Sequence, residues 1–173
     1  MRKLLSFILF LLCLLPASAQ QPVGREYLFV YNLRTQFRRL NVHFTEQNDS
    51  LCLHWSFTND EGTRGGSFIM SPQSRQHALR LNYVKPTANE TISVPDDELF
   101  AFLSADALNA LHTEGKCRFN NTTLTLLDSK DSLLHVKDFD EGYEMWIEDN
   151  ARFPLIRRMI NNPVEIDWEV IEK

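Results

Sequence analysis

The stretch Asn41–Phe57, NVHFTEQNDSLCLHWSF, decides how this chain folds. Two runs with apolar residues at every second position flank the polar turn QNDS. Pairing Glu46 with Leu51 sets Phe44 opposite Leu53, Val42 opposite Trp55 and Leu40 opposite Phe57. All six of those residues are apolar and share a face. The other face pairs Thr45 with Cys52, His43 with His54 and Asn41 with Ser56. A slip of one residue would mix the two faces, so the register is self-consistent.

Working outward, EYLFVYNL (Glu26–Leu33) reads as a first strand, rich in aromatic and β-branched side chains. GTRGG (Gly62–Gly66) reads as a flexible loop and SFIM as a short strand. Ser71-Pro72 is a helix cap followed by a first-turn proline. It opens a helix through QSRQHALRL whose apolar side is Ala78, Leu79 and Leu81. NYVKPTANETISVP reads as mostly irregular. DDELFAFL and SADALNALHTEG read as two short helices, with Ser104 as cap and Gly115 as stop.

From Lys116 the period changes to two. KCRF, TTLTLLD, SLLHVKDF, YEMWIED, PLIRRMI and VEIDWEVI are candidate strands separated by short polar turns. With Glu141-Gly142 as a two-residue turn, Val136 faces Ile147 and His135 faces Glu148. In the last strand Glu165, Asp167 and Glu169 form a wet row. Val164, Ile166, Trp168 and Val170 form the apolar one. Strands, two or three helices inserted mid-chain, then a long meander predict an α+β fold in one domain, residues 20–173.

The first residues, MRKLLSFILFLLCLLPASAQ, carry a basic start, a short apolar run and a small-residue cleavage pattern ending at Ala19. Residues 1–19 are therefore expected to be a signal peptide, with a secreted, periplasmic or cell-surface destination after cleavage near Ala19. No later run is apolar enough for a transmembrane helix. The net charge is −5, and both basic residues of the leader, Arg2 and Lys3, are counted in it. This acidic balance argues against nucleic acid or an anionic membrane as partner. Beyond the leader two cysteines remain, Cys52 and Cys117, and an oxidising compartment makes a disulfide the expected pairing. Closing so long a loop contributes about 4 kcal/mol in the chain-entropy account.

The segment YEMWIEDNARFPLIRRM (Tyr143–Met159), together with the order of elements, resembles the outer-membrane lipoprotein-carrier superfamily. The resemblance rests on a tryptophan-bearing strand, a polar turn, and Pro-Leu opening the next strand. It implies an exported bacterial protein with a curved, open half-barrel of about ten antiparallel strands. Helices would pack on its concave face, which in some members shelters acyl chains. Asn48, Asn89, Asn120 and Asn121 fit the glycosylation sequon, but a bacterial source implies no glycans there.

Several residues invite a chemical reading. His43 and His54, opposed at about 5 Å between Cβ atoms, could share a zinc ion with Cys52 and Cys117 as further ligands. Opposed histidines are equally ordinary on the wet face of a hairpin, and oxidised cysteines cannot ligate. Ser104, Asp106 and His112 share a helical region, yet Ser104 serves as a cap. Asp96, Asp97 and Glu98 suit a first helical turn without catalysis. His135 opposite Glu148 is a candidate acid/base pair or a surface ion pair. In Arg38-Arg39 and Arg157-Arg158 neighbouring side chains point to opposite faces, so neither doublet makes a patch.

These readings converge on an exported, non-catalytic domain with no cofactor. It is expected to bind a lipid, another lipophilic small molecule or an envelope protein partner in an apolar groove. Val42, Phe44, Leu53, Trp55, Val136, Ile147 and Trp168 are the expected lining. A secreted hydrolase or a zinc protein using the His43/His54 face is the alternative.

Overall fold

The computed structural model describes residues 23–34 and 36–173. The signal-peptide segment 1–19 and its cleavage point lie outside the described residues. Four strands open the fold: β1 (Glu26–Leu33), β2 (Gln36–Gln47), β3 (Ser50–Asn59) and β4 (Gly62–Met70). Then come helix α1 (Pro72–His77), the short strands β5 (Arg80–Leu81), β6 (Thr91–Ser93) and β7 (Glu98–Leu99), and helix α2 (Ala105–Glu114). Six more strands follow: β8 (Lys116–Phe119), β9 (Thr122–Lys130), β10 (Leu133–Asp138), β11 (Glu144–Glu148), β12 (Ile156–Ile160) and β13 (Asp167–Glu172).

One curved, unclosed sheet of 11 strands runs in the order β6-β4-β3-β2-β1-β13-β12-β11-β10-β9-β8, with β5 and β7 paired separately. It consists of two antiparallel meanders joined where the last strand pairs with the first, Tyr31 opposite Trp168. The helical insertion falls between the meanders in sequence. Ala107, Leu108 and Leu111 of α2 join the same buried cluster as Phe29, Phe44, Met145 and Trp168 of the sheet. One face of the sheet is therefore covered. Three hairpin turns place two consecutive residues at positive φ: Asn48-Asp49, Asn120-Asn121 and Asp131-Ser132. That geometry follows the right-handed strand twist, and Asn and Asp tolerate it best among residues with a Cβ.

The opening hairpin has the predicted register, from Asn41 opposite Ser56 to Glu46 opposite Leu51. Both caps also hold. The Ser71 hydroxyl accepts from the Ser74 amide at 3.0 Å, and Ser104 caps α2, which ends at Gly115 with φ 70°.

Four readings are corrected. Gly62–Gly66 is not a loop but the first half of β4. Its glycines admit a close backbone: a Cβ on Gly66 would lie 2.7 Å from the Glu90 carbonyl oxygen. The helix after Pro72 stops at His77, because Arg80–Leu81 pairs with Glu98–Leu99. DDELFAFL is not helical either. Residues 99–104 are all buried, and the segment bonds on both sides: the Asn82 amide donates to the Leu99 carbonyl and the Ile156 amide to that of Ala101. Ala101 takes a φ of 61° within it. An amphipathic helix, with one wet face, cannot occupy a site enclosed on all sides.

The β10–β11 turn is longer than two residues. The buried Asp138 carboxylate accepts from the amides of Asp140 and Glu141 at 2.8 and 3.3 Å. The pairing accordingly shifts by two, so Leu134 faces Ile147 and His135 faces Trp146. An even shift preserves the face, and Val136 and Ile147 both stay buried.

The disulfide is also corrected, since Cys52 and Cys117 are free, buried thiols. Seven strands separate β3 from β8. Cys52 alternates with the core residues Leu51 and Leu53 and so points outward, whereas Cys117 belongs to the core. A bridge needs Cα atoms within about 7 Å and converging Cβ vectors.

Candidate functional site

On the outer face, His43 and His54 are opposed as predicted and stack, ring centroids 4.7 Å apart. Both nitrogens of His54 are engaged, Nε2 with the Thr45 hydroxyl and Nδ1 with the Ser67 hydroxyl, each at 2.8 Å. Burial, and secondarily the neighbouring His43, hold the His54 imidazole below its ordinary value. Among the described residues no three His, Cys, Asp or Glu side chains gather into a possible metal site. Cys117 lies on the covered face, so the proposed zinc set is not brought together.

His135 does not meet Glu148. Its Nε2 lies 2.8 Å from Glu144, whose other oxygen accepts from Lys137 at 2.9 Å. The Lys137 and His135 bonds hold the Glu144 carboxyl below its usual range. The Trp146 ring lies between His135, at 4.3 Å, and the Arg158 guanidinium, at 4.8 Å. Glu148 instead accepts from Arg157 at 2.7 Å, yet burial raises its carboxyl overall. Ser104 bonds the Ala107 amide, and Asp106 bonds His77 and Gln76 while His112 bonds Asp149. The suspected serine constellation is thus dispersed among caps and surface pairs.

The concave face holds a groove of about 730 Å³, at the end of the sheet away from the β2–β3 turn. Small-molecule sites commonly occupy about 300–1,000 Å³. Alternation positions one wall: Leu40 precedes the core residues Val42 and Phe44 by even steps, and Arg38 precedes Leu40 likewise. Trp55 and Phe57 of β3 contribute a stacked aromatic pair, centroids 6.2 Å apart and 6° from parallel. Tyr31 of β1 and Trp168 of β13 contribute a second aromatic pair, centroids 6.2 Å apart and tilted by 55°. The Trp168 indole donates to the Ile156 carbonyl at 3.0 Å, which orients its ring. Burial pushes the Tyr31 phenol well above its usual range.

A further wall comes from residues 82–86, including Tyr83, Val84 and Lys85. Tyr83 is anchored there because its hydroxyl accepts from Asn120 and Asn162 at 3.3 and 3.1 Å. Phe37 and Val84, 74% and 48% exposed, continue the apolar lining to the surface.

Of the seven expected lining residues, Trp55 and Trp168 line this groove. Val42, Phe44, Leu53, Val136 and Ile147 instead lie in the filled core. Sequence reasoning missed Tyr31, Phe37, Phe57 and Tyr83. The readable signal was large apolar residues beside two arginines at the start of β2, facing Trp55 and Phe57 at the end of β3.

Comparison with protein-family models, curated proteins and solved structures found no match.

Proposed function

We propose that this chain is an exported, non-catalytic binding domain that holds a lipophilic small molecule in the concave groove. The open sheet would serve as the half-barrel of lipoprotein-carrier-like proteins, with residues 82–86 as one flank of the entrance. The observation that carries the reading is a groove of about 730 Å³ lined by two aromatic pairs beside a core that is otherwise filled. An apolar guest would also cover Phe37 and Val84, side chains that water otherwise contacts.

Trp55 and Trp168 are two of the three tryptophans, so intrinsic fluorescence reports occupancy. Titration with a series of straight-chain alcohols should change the emission saturably. Affinity should rise about fourfold per added methylene, equivalent to about 0.8 kcal/mol. Emission that does not move with any chain length sinks the reading. Native mass spectrometry of the chain as purified gives an independent test through a retained small-molecule mass.

A further inference from the structure

We infer that the groove's ligand is a single-chain anionic amphiphile, a fatty-acid-like carboxylate whose head sits between Arg38 and Lys85. This rests on the groove binding an apolar chain at all, and adds the sign and place of the head group. Among the described residues the groove is lined by Arg38, Arg39 and Lys85 and by no Asp or Glu, in a chain whose net charge is −5. The local sign therefore opposes the global one.

The placement is also directional. Arg38 shares the concave face with Tyr31, its partner across the β1–β2 ladder. Lys85 reaches the groove from a different element, the segment after β5. Both side chains are exposed at the groove's border, and neither has an ion-pair partner among the described residues. Some arginines of this fold are matched, Arg157 with Glu148 at 2.7 Å and Arg80 with Asp97 at 2.6 Å. Arg39, Arg118, Arg152 and Arg158, like Arg38, are not among the described ion pairs, so what sets Arg38 and Lys85 apart is their place on the groove. An apolar guest with no charge would leave the two cations unanswered. An anionic head at the mouth, with its tail along Trp55, Phe57 and Trp168, satisfies both parts of the site. Cations flanking a low-dielectric cleft also raise the local concentration of such a ligand.

The test compares ligands of equal chain length below their aggregation limits: palmitate, hexadecanol and hexadecyltrimethylammonium. Palmitate should bind at least about tenfold tighter than the alcohol, the cation weakest of the three. The R38Q/K85Q double variant should bring palmitate to within about twofold of the alcohol measured on the same variant. Both substitutions are on exposed side chains, and an unchanged circular dichroism spectrum verifies the fold. Added salt should narrow the palmitate advantage in the parent chain. Equal binding of palmitate and hexadecanol overturns the head-group assignment while sustaining the apolar groove. Binding of neither overturns both. A palmitate advantage that survives the double variant also overturns the assignment of Arg38 and Lys85.

Discussion

His43 and His54 lie face to face across the first hairpin, centroids 4.7 Å apart and planes 21° from parallel. Burial first, and the adjacent His43 second, keep the His54 imidazole from protonating at its ordinary pH. In the unfolded chain His54 takes up a proton near pH 6.5. The unfolded state therefore binds more protons just below that pH, and stability falls as pH drops from about 6.5 through the lower folded value. Denaturant midpoints should decline between about pH 7 and pH 5, and H54Q should flatten this part of the profile. H43Q should move the His54 titration, followed by proton NMR, back toward 6.5. An unmoved titration would show that His43 contributes nothing.

Cys52 and Cys117 should behave as two sheltered thiols. Burial pushes the Cys117 thiol up to about 12, so it stays protonated and unreactive near neutrality. A maleimide reagent should label neither residue in the native chain and both in denaturant. Reductant should leave the intact mass unchanged. A two-dalton increase on reduction would establish a bridge and require a different arrangement of β3 and β8.

The legible parts of this fold were the ones where local pattern and tertiary demand agree. The hairpin from Asn41 to Ser56 alternates cleanly, and each of its faces has one environment. Ser104 and Gly115 bracket α2 because capping is a local matter. Legibility failed at residues 97–103, where the apolar run Leu99-Phe100-Ala101-Phe102-Leu103 is threaded through the core. Periodicity separates a wet face from a dry one and is silent for a segment that has only dry ones. It failed likewise at Gly65 and Gly66, whose small size serves a neighbouring backbone rather than flexibility. The groove was half visible. Alternation identifies which residues face inward, but whether a facing element fills the space depends on residues 82–86. No pattern in those residues announces their position. Strict alternation sends Arg38 and Arg39 to opposite faces, yet both reach the groove at its border.

Gly66 lends itself to a direct test. A Cβ there would meet the carbonyl oxygens of Glu90 at 2.7 Å and Thr87 at 2.9 Å, both backbone atoms. G66A should therefore push residues 87–90 away from β4 and cost about 1–3 kcal/mol, as overpacking does. The Ser67 amide donates to the Glu90 carbonyl at 2.9 Å and the Asn89 amide to that of Gly65 at 2.7 Å. Hydrogen exchange at both amides should accelerate in the variant. Unaltered protection would mean that the segment yields without leaving the sheet.

Cap removal should separate local from global effects in α2. The Ser104 side chain is fully buried and its oxygen accepts from the Ala107 amide at 3.3 Å. S104A should cost about 1 kcal/mol, seen as a lower denaturant midpoint with an unchanged slope. A cost near zero would mean that the 3.3 Å bond adds nothing beyond helix packing.

Phe44 and Phe57 face the same side of the sheet and should respond oppositely to truncation. Phe44 is 0% exposed and meets Phe153 edge-on at 4.9 Å, Phe102 at 5.4 Å and Tyr27 at 5.5 Å. F44A opens a cavity in a filled core and should cost about 3–5 kcal/mol. Phe57 is only half-buried and stacks on Trp55 in the groove wall. F57A removes few core contacts, so its cost should stay below about 1.5 kcal/mol, while alcohol and palmitate affinity should fall about tenfold. Denaturant unfolding and tryptophan-fluorescence titration on the same two variants give both axes. If F57A unfolds the chain as F44A does, the groove wall belongs to the load-sharing core and the space beside it is not a binding site. If F57A is well folded and binds as the parent does, the guest does not lie along Trp55 and Phe57.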